Sequence, residues 1–167
     1  MPLPDVRQEV TEENILQFVA FRVGMQSFAV EIHRIKEVLP YRTITSLPKA
    51  PSFLEGVIDL RGSLIPILDL RKRLGIAEIR NDAQTRILVL RIKRQKLGLV
   101  VDSVLRVLAV PVENIDPPPP VAQEKGAFYV LAVARCQDEL YVVLDPESFL
   151  AAEERISMED LLNQTLS

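Results

Sequence analysis

Apolar residues alternate with other positions from Ile15 to Val23, with Ile15, Val19, Phe21 and Val23 among them, and this spacing predicts a strand. Gly24 to Ser27 reads as a turn. Phe28, Val30 and Ile32 resume the period of two, after which Ile35, Val38 and Leu39 fall on helical spacing until Pro40 stops it. A hairpin followed by a short helix is expected. Further along, "GVIDLRGSLIPILDL" places Asp59 and Arg61, then Gly62, between two apolar stretches, the pattern of a second hairpin. Strand alternation would set Val57, Asp59 and Arg61 on one side and Ile58 and Leu60 on the other, with Gly62 supplying the freedom of a tight turn. Asp69 precedes "LRKRLG", where it would cap a helical turn ended by Gly75, and Asp145 before Pro146 repeats that role.

The pattern occurs twice. Moving on by 69 residues converts Phe21 to Leu90, Val23 to Ile92, Phe28 to Leu97, Val30 to Leu99, Ile35 to Val104 and Val38 to Val107 without a gap. At an offset of 76, Val57 matches Val133, Leu64 matches Leu140 and Asp69 matches Asp145. Short strands parted by turns in two like halves argue for an all-β fold of two small closed barrels, of about five strands each. Closure removes the exposed edges a short open sheet would present. A half of this size buries too little surface to be stable alone, so a shared apolar layer and one inseparable domain over residues 14–152 are expected. The first barrel is assigned mainly to 14–80 and the second to 84–150. Residues 1–13 read as a disordered lead-in. Residues 153–167 read as a tail in which Ser157 and Asp160 form a capping box and Met158, Leu161 and Leu162 an apolar face, suiting a docked terminal helix. Pro117 to Pro120 reads as a stiff loop inside the second half.

Charge narrows the functions. Twenty basic residues against 23 acidic give a net charge of -3, and the basic runs Arg71–Arg73 and Arg91–Lys96 are short and interleaved with apolar positions, as on a solvated face. Nucleic-acid and phosphate binding are therefore disfavoured. Cys136 is the only cysteine, so no intrachain disulfide forms and a reducing compartment fits. "MPLPDVRQEV" lacks the features of a signal peptide, and no stretch approaches the roughly 18 consecutive apolar residues of a membrane span. A cytoplasmic protein with no membrane insertion is expected.

Catalytic chemistry finds no home here. The chain has no GxGxxG, GxxxxGKS, HExxH, GxSxG or CxxC pattern. Its one histidine, His33, reads as a surface residue, and Cys136 as a small packed one. No catalytic residue, metal or cofactor is expected. Arg61 stands out, because the matching residues of the second half are Gln137 and Asp138, so the turn alone does not require an arginine. A place at the junction of the halves, a partner surface, and a brace within its own barrel all remain open for it.

The stretch from "FRVGMQSFAVEIHRIKEVL" through "GVIDLRGSLIPILDLRKRLG", followed by "LGLVVDSVLRVL", resembles the CheW family of chemotaxis adaptor proteins from Leu16 to about Leu150. The resemblance implies two intertwined SH3-like five-stranded barrels and a non-enzymatic adaptor. It further implies partners: the cytoplasmic tip of a methyl-accepting chemoreceptor and the regulatory domain of a CheA-type histidine kinase. By matching positions, a receptor-binding groove between the barrels would involve Ile35, Glu37 and Val38, Gly56 and Arg61, and Val104 and Val107. Arg61 would hold the groove's shape and secondarily touch the receptor. The four-proline run, the tail after Leu150 and "ARCQDELY" are not required by the family pattern, and the lack of a following receiver domain speaks against the two-domain CheV type. A small-barrel binder of single-stranded nucleic acid is the competing reading, weakened by six Phe, three Tyr and an acidic pI.

Overall fold

Alternating apolar residues along short segments give eleven strands in the computed structural model, which describes residues 14–120 and 129–148. The expected lead-in over 1–13 and the terminal helix around Ser157 to Leu162 lie outside the described residues. In order come β1 (Ile15–Val23), β2 (Gln26–Glu31), a 3-10 turn (Ile32–Arg34), β3 (Ile35–Pro40), β4 (Gly56–Leu60), β5 (Ser63–Asp69) and the short helix α1 (Leu70–Arg73). There follow β6 (Arg86–Ile92), β7 (Gln95–Val101), β8 (Ser103–Pro111), a 3-10 turn (Val112–Asn114), β9 (Ile115–Asp116), β10 (Val130–Cys136), β11 (Glu139–Leu144) and a last 3-10 turn (Pro146–Ser148). The turn expected over Gly24 to Ser27 tightens to Gly24 and Met25, since Gln26 already pairs with Val23. Pro117 to Pro120 directly follows β9.

The helix expected at Ile35, Val38 and Leu39 is instead the strand β3, and helical geometry is confined to Ile32–Arg34. A β-bulge explains the misleading spacing. Ile35 faces Leu90 and Glu37 faces Val89, so Lys36 is an extra residue that shifts the apolar period by one. The second copy does the same: Phe21 faces Val104 and Ala20 faces Arg106, leaving Leu105 extra in β8. Lys36 and Leu105 are themselves 69 positions apart, so the irregularity was duplicated with the rest.

Two sheets result, ordered β8-β1-β2-β11-β10-β9 and β3-β6-β7-β5-β4. Neither follows the expected division into a barrel of 14–80 and another of 84–150. The β1–β2 hairpin joins strands of the second half, and the β6–β7 hairpin joins strands of the first. In each copy the third strand pairs with the first strand of the other copy, which is why Ile35–Leu90 and Phe21–Val104 are the same pairing seen twice. The halves are intertwined by this exchange.

Both sheets curl until the chain itself closes them. Beyond β3, Thr45 exchanges hydrogen bonds with Val57 of β4 (2.9 and 2.8 Å), joining the two borders of the second sheet. In the first, β8 runs through its 3-10 turn into β9, which pairs with β10. Few edge groups are thus left for another chain to extend.

Strands packed on both faces partition the core into three layers. Phe18, Ala20, Ala29, Leu108, Val110 and Tyr141 fill the first curl, and Ile58, Ile65, Ile67, Ile87, Val89 and Val100 the second. Between the sheets, Phe21, Val23, Phe28, Val30, Leu88, Leu90, Leu97 and Leu99 form the shared layer, where Phe21 and Phe28 stack at 5.9 Å. Each such side chain contributes about 1.5 to 3 kcal/mol by leaving water, and in the shared layer that gain exists only while both sheets are present. Among the described residues no helix is long and apolar enough to cross a membrane.

Candidate functional site

The β4–β5 turn is built from Arg61 and Gly62, both left-handed at φ +52° and +88°, the pairing a two-residue hairpin of matching twist requires. Gly62 N–H donates to the Asp59 carboxylate at 2.8 Å. Gln137 and Asp138 adopt the same conformation at φ +52° and +65°, so the two turns are alike in backbone and differ only in side chains. Arg61 therefore sits in the turn itself and not on the strand face with Val57 and Asp59.

The side chain of Arg61 is 71% exposed and donates to Glu37 Oε2 at 2.6 Å. This bond ties the β4–β5 turn to β3 across the line where the second sheet closes, which is the bracing role; most of the guanidinium still faces solvent. The Arg61 hydrogen bond holds the Glu37 carboxyl below the usual carboxylate range; partial desolvation opposes this, and the charges of Arg61, Lys96 and Lys36 reinforce it. A carboxyl that titrates lower folded than unfolded stabilises the fold above its unfolded range, and that contribution fades as pH falls through the folded value. Arg61→Gln should therefore move the Glu37 side-chain titration, followed by carboxyl NMR shifts, upward toward an ordinary glutamate. An unmoved titration would show that the pair does not form in solution.

Ile35 and Val104, equivalent residues that lie at or beside the starts of β3 and β8, are half-buried against the shared layer. Val38 and Val107, equivalent in the same way, are 40% and 55% exposed on these two border strands. Leu105, the bulge residue of β8, adds an exposed apolar side chain that sequence reading passed over. Gly56 behaves differently. It is buried at φ +149°, and a Cβ there would stand 2.1 Å from the Thr45 carbonyl oxygen, so it serves the closing bridge of the second sheet. Of the seven residues suggested for a groove, the structure thus joins Glu37 with Arg61, rests Ile35 and Val104 on one layer, exposes Val38 and Val107, and buries Gly56.

Arg71, expected on a solvated face, is only 1% exposed. Asp69 caps α1 through the Arg71 N–H at 3.0 Å and also receives the guanidinium on both oxygens, each at 3.0 Å. The same guanidinium reaches the Arg80 carbonyl at 3.1 Å, Asn81 Oδ1 at 2.7 Å and Asp102 at 3.4 Å, and Asp102 in turn accepts the Gly24 N–H at 2.6 Å. Burial pulls the guanidinium pKa down, but the bonds and charges of Asp69 and Asp102 more than reverse it, so it stands above the usual value. This cluster fastens α1, the β1–β2 turn and the β7–β8 corner together.

The remaining reactive side chains have plain surroundings. His33 is exposed, 3.6 Å from Glu31, and Cys136 is half-buried at the end of β10 against the first curl's core. Asp145 accepts from Glu147 N–H and Ser148 Oγ, as its capping role requires. Among the described residues no group of His, Cys, Asp and Glu is placed to hold a metal.

The CheW-like domain family model matches residues 17–154. The chain is 30% identical over 149 residues to the chemotaxis protein CheW of Treponema pallidum, covering 87% of this chain and 88% of that one. It is 32% identical over 139 residues to the Rhizobium meliloti protein of the same name, covering 83% and 90%, and 36% identical over 119 residues to FrzA of Myxococcus xanthus, covering 71% and 74%. The crystal structure of the scaffolding protein TtCheW from Thermoanaerobacter tengcongensis superposes with a TM-score of 0.74 at 30% identity, covering 83% of this chain and 94% of that one.

Proposed function

Because the chain belongs to the CheW-like domain family, whose members are non-enzymatic chemotaxis scaffolds, we propose that its own contribution is to present the border strands β3 and β8 to the tip of a methyl-accepting chemoreceptor. Other barrel surfaces are then left to the regulatory domain of a CheA-type histidine kinase, and the work is done in the cytoplasm. The observation that carries this reading is the exposure of Val38 and Val107 at equivalent positions, beside the half-buried Ile35 and Val104 and the Glu37–Arg61 pair. A helical bundle offers an apolar ridge with charged flanks, which such a rim fits. A scaffold passes on a signal only by preferring one geometry of its partners, so this rim must bind the receptor's states unequally. Among the described residues Phe18, Phe21, Phe28 and Tyr141 are buried and Tyr41, Phe53 and Tyr129 half-buried, so none of these rings is exposed as the competing nucleic-acid reading would need for stacking.

Val107→Asp and Val38→Asp test the rim. Each should weaken co-sedimentation with receptor-bearing membranes by about tenfold, the effect of losing roughly 1.4 kcal/mol at a contact, while the melting temperature stays put. Full retention of receptor binding by folded variants would remove the rim from the interface.

A further inference from the structure

One open end of the second curl is strongly basic. The β6–β7 turn carries Lys93 and Arg94, and just behind it Arg91 and Lys96 stand directly opposite each other across the two strands. Like charges in that position destabilise a ladder. Lys36, the bulge residue of β3, and Lys96 both add their charge at Glu37, so they border the same spot. The parallel register of Ile67 with Gly98 and Leu68 with Leu99, continued back along β5 and β7, sets Ser63 level with Arg94, bringing the Arg61 turn alongside. None of Lys36, Arg91, Lys93, Arg94 and Lys96 forms an ion pair among the described residues, and all but the half-buried Lys96 are exposed.

The chain contains its own control for this cluster. At the equivalent end of the other curl, the offsets of 69 and 76 replace Lys36, Lys93, Arg94, Lys96 and Arg61 by Leu105, Gly24, Met25, Ser27 and Gln137, with only Arg91 retained, as Arg22. The same hairpins form there without the cations. Folding therefore does not call for them, and in a chain of net charge -3 they concentrate positive potential at one place.

We infer that this basic end docks an acidic segment of a partner protein, one whose carboxylates meet Lys93, Arg94 and Lys96. Two features favour a protein over a polyphosphate or a lipid surface. Glu37 and exposed Asp59 lie within the cluster, which repels a uniformly anionic chain and suits one of mixed charge. No exposed Phe or Tyr stands in the cluster to stack on a base, and neither the β6–β7 turn nor the Arg61 turn carries an exposed large apolar residue that could enter a lipid surface. The surface adjoins the receptor rim at Glu37 but does not depend on that assignment.

The decisive variant copies the chain's own alternative turn: Lys93→Gly, Arg94→Met and Lys96→Ser together convert "RIKRQK" to the "GMQS"-type hairpin that already folds at Gly24 to Ser27. Fluorescence anisotropy on the whole protein would compare a labelled 15-residue peptide of alternating Glu and Leu/Ala helical faces, the same peptide with Gln for Glu, an oligothymidine, and phosphatidylglycerol vesicles. At low salt the Glu peptide should bind about tenfold tighter than the Gln peptide, lose that margin as the ionic strength rises severalfold, and bind the triple variant about tenfold more weakly. Equal binding of the Glu and Gln peptides, an unchanged affinity in the folded triple variant, or tighter binding of oligothymidine or vesicles would each overturn the inference. The receptor-rim variants Val38→Asp and Val107→Asp are scored on membranes, so either proposal can fail while the other stands.

Discussion

Arg71→Met is expected to lower the melting temperature by on the order of 10 °C, the largest effect of any single substitution considered. Removing the cation leaves the Asp69 carboxylate, 6% exposed, with only its own α1 N–H bond and the charge of the exposed Lys72 nearby. Breaking a buried pair in this way costs about 3 to 5 kcal/mol, and in a chain of this size each kilocalorie moves the midpoint by roughly 2 to 4 °C. Arg71→Lys should recover little, because an ammonium cannot serve both Asp69 oxygens, the Arg80 carbonyl and Asn81 together. The double change Asp69→Asn with Arg71→Met should melt higher than Arg71→Met alone, since no orphaned charge remains. Thermal unfolding by circular dichroism reads all three; a midpoint within 2 °C or so of the parent for Arg71→Met would show the network to be dispensable.

Gly56→Ala should be nearly as damaging. A methyl group 2.1 Å from the Thr45 carbonyl oxygen and 2.9 Å from Ile44 Cγ2 cannot be accommodated by a side-chain rotation, because the first obstacle is backbone. The Thr45–Val57 bridge must open, and with it the closure of the second sheet. A loss of about 3 kcal/mol is expected in urea titrations, near the upper end of small overpacking changes. Gly62→Ala is the matched comparison: φ is also positive, but nothing lies within 4 Å, so only the left-handed strain of about 1 kcal/mol applies. If the two variants unfold at the same urea concentration, the close approach at Gly56 is not what fixes that residue.

Much of this architecture is legible in the chain, and the parts that are not share a cause. The duplication, both hairpin turns, the Asp69 and Asp145 caps and the shared apolar layer follow from local pattern, because alternation and capping are settled by neighbours in sequence. Likeness between two segments says nothing about which of them pairs with which, so the exchange of β3 and β8 is absent from the local pattern and was legible only as the intertwining that the family resemblance implies. The bulge at Lys36, repeated at Leu105, defeated periodicity and turned β3 into an apparent helix. Arg71 looks like any member of a basic run until the fold brings Asp102 and Asn81 around it. For the site, Glu37 and Arg61 were legible as candidates from the family resemblance, but their bond depends on closure of the second sheet. The same closure explains why Gly56 belongs with the fold's own fastening.

The strand exchange also governs how a message could pass through such a molecule. A load applied to either curl falls on segments whose far ends are woven into the other, so neither can swing on a hinge without tearing ladders apart. Information entering at one surface must leave as a change in the pose of the entire body, which makes the molecule a stiff scaffold.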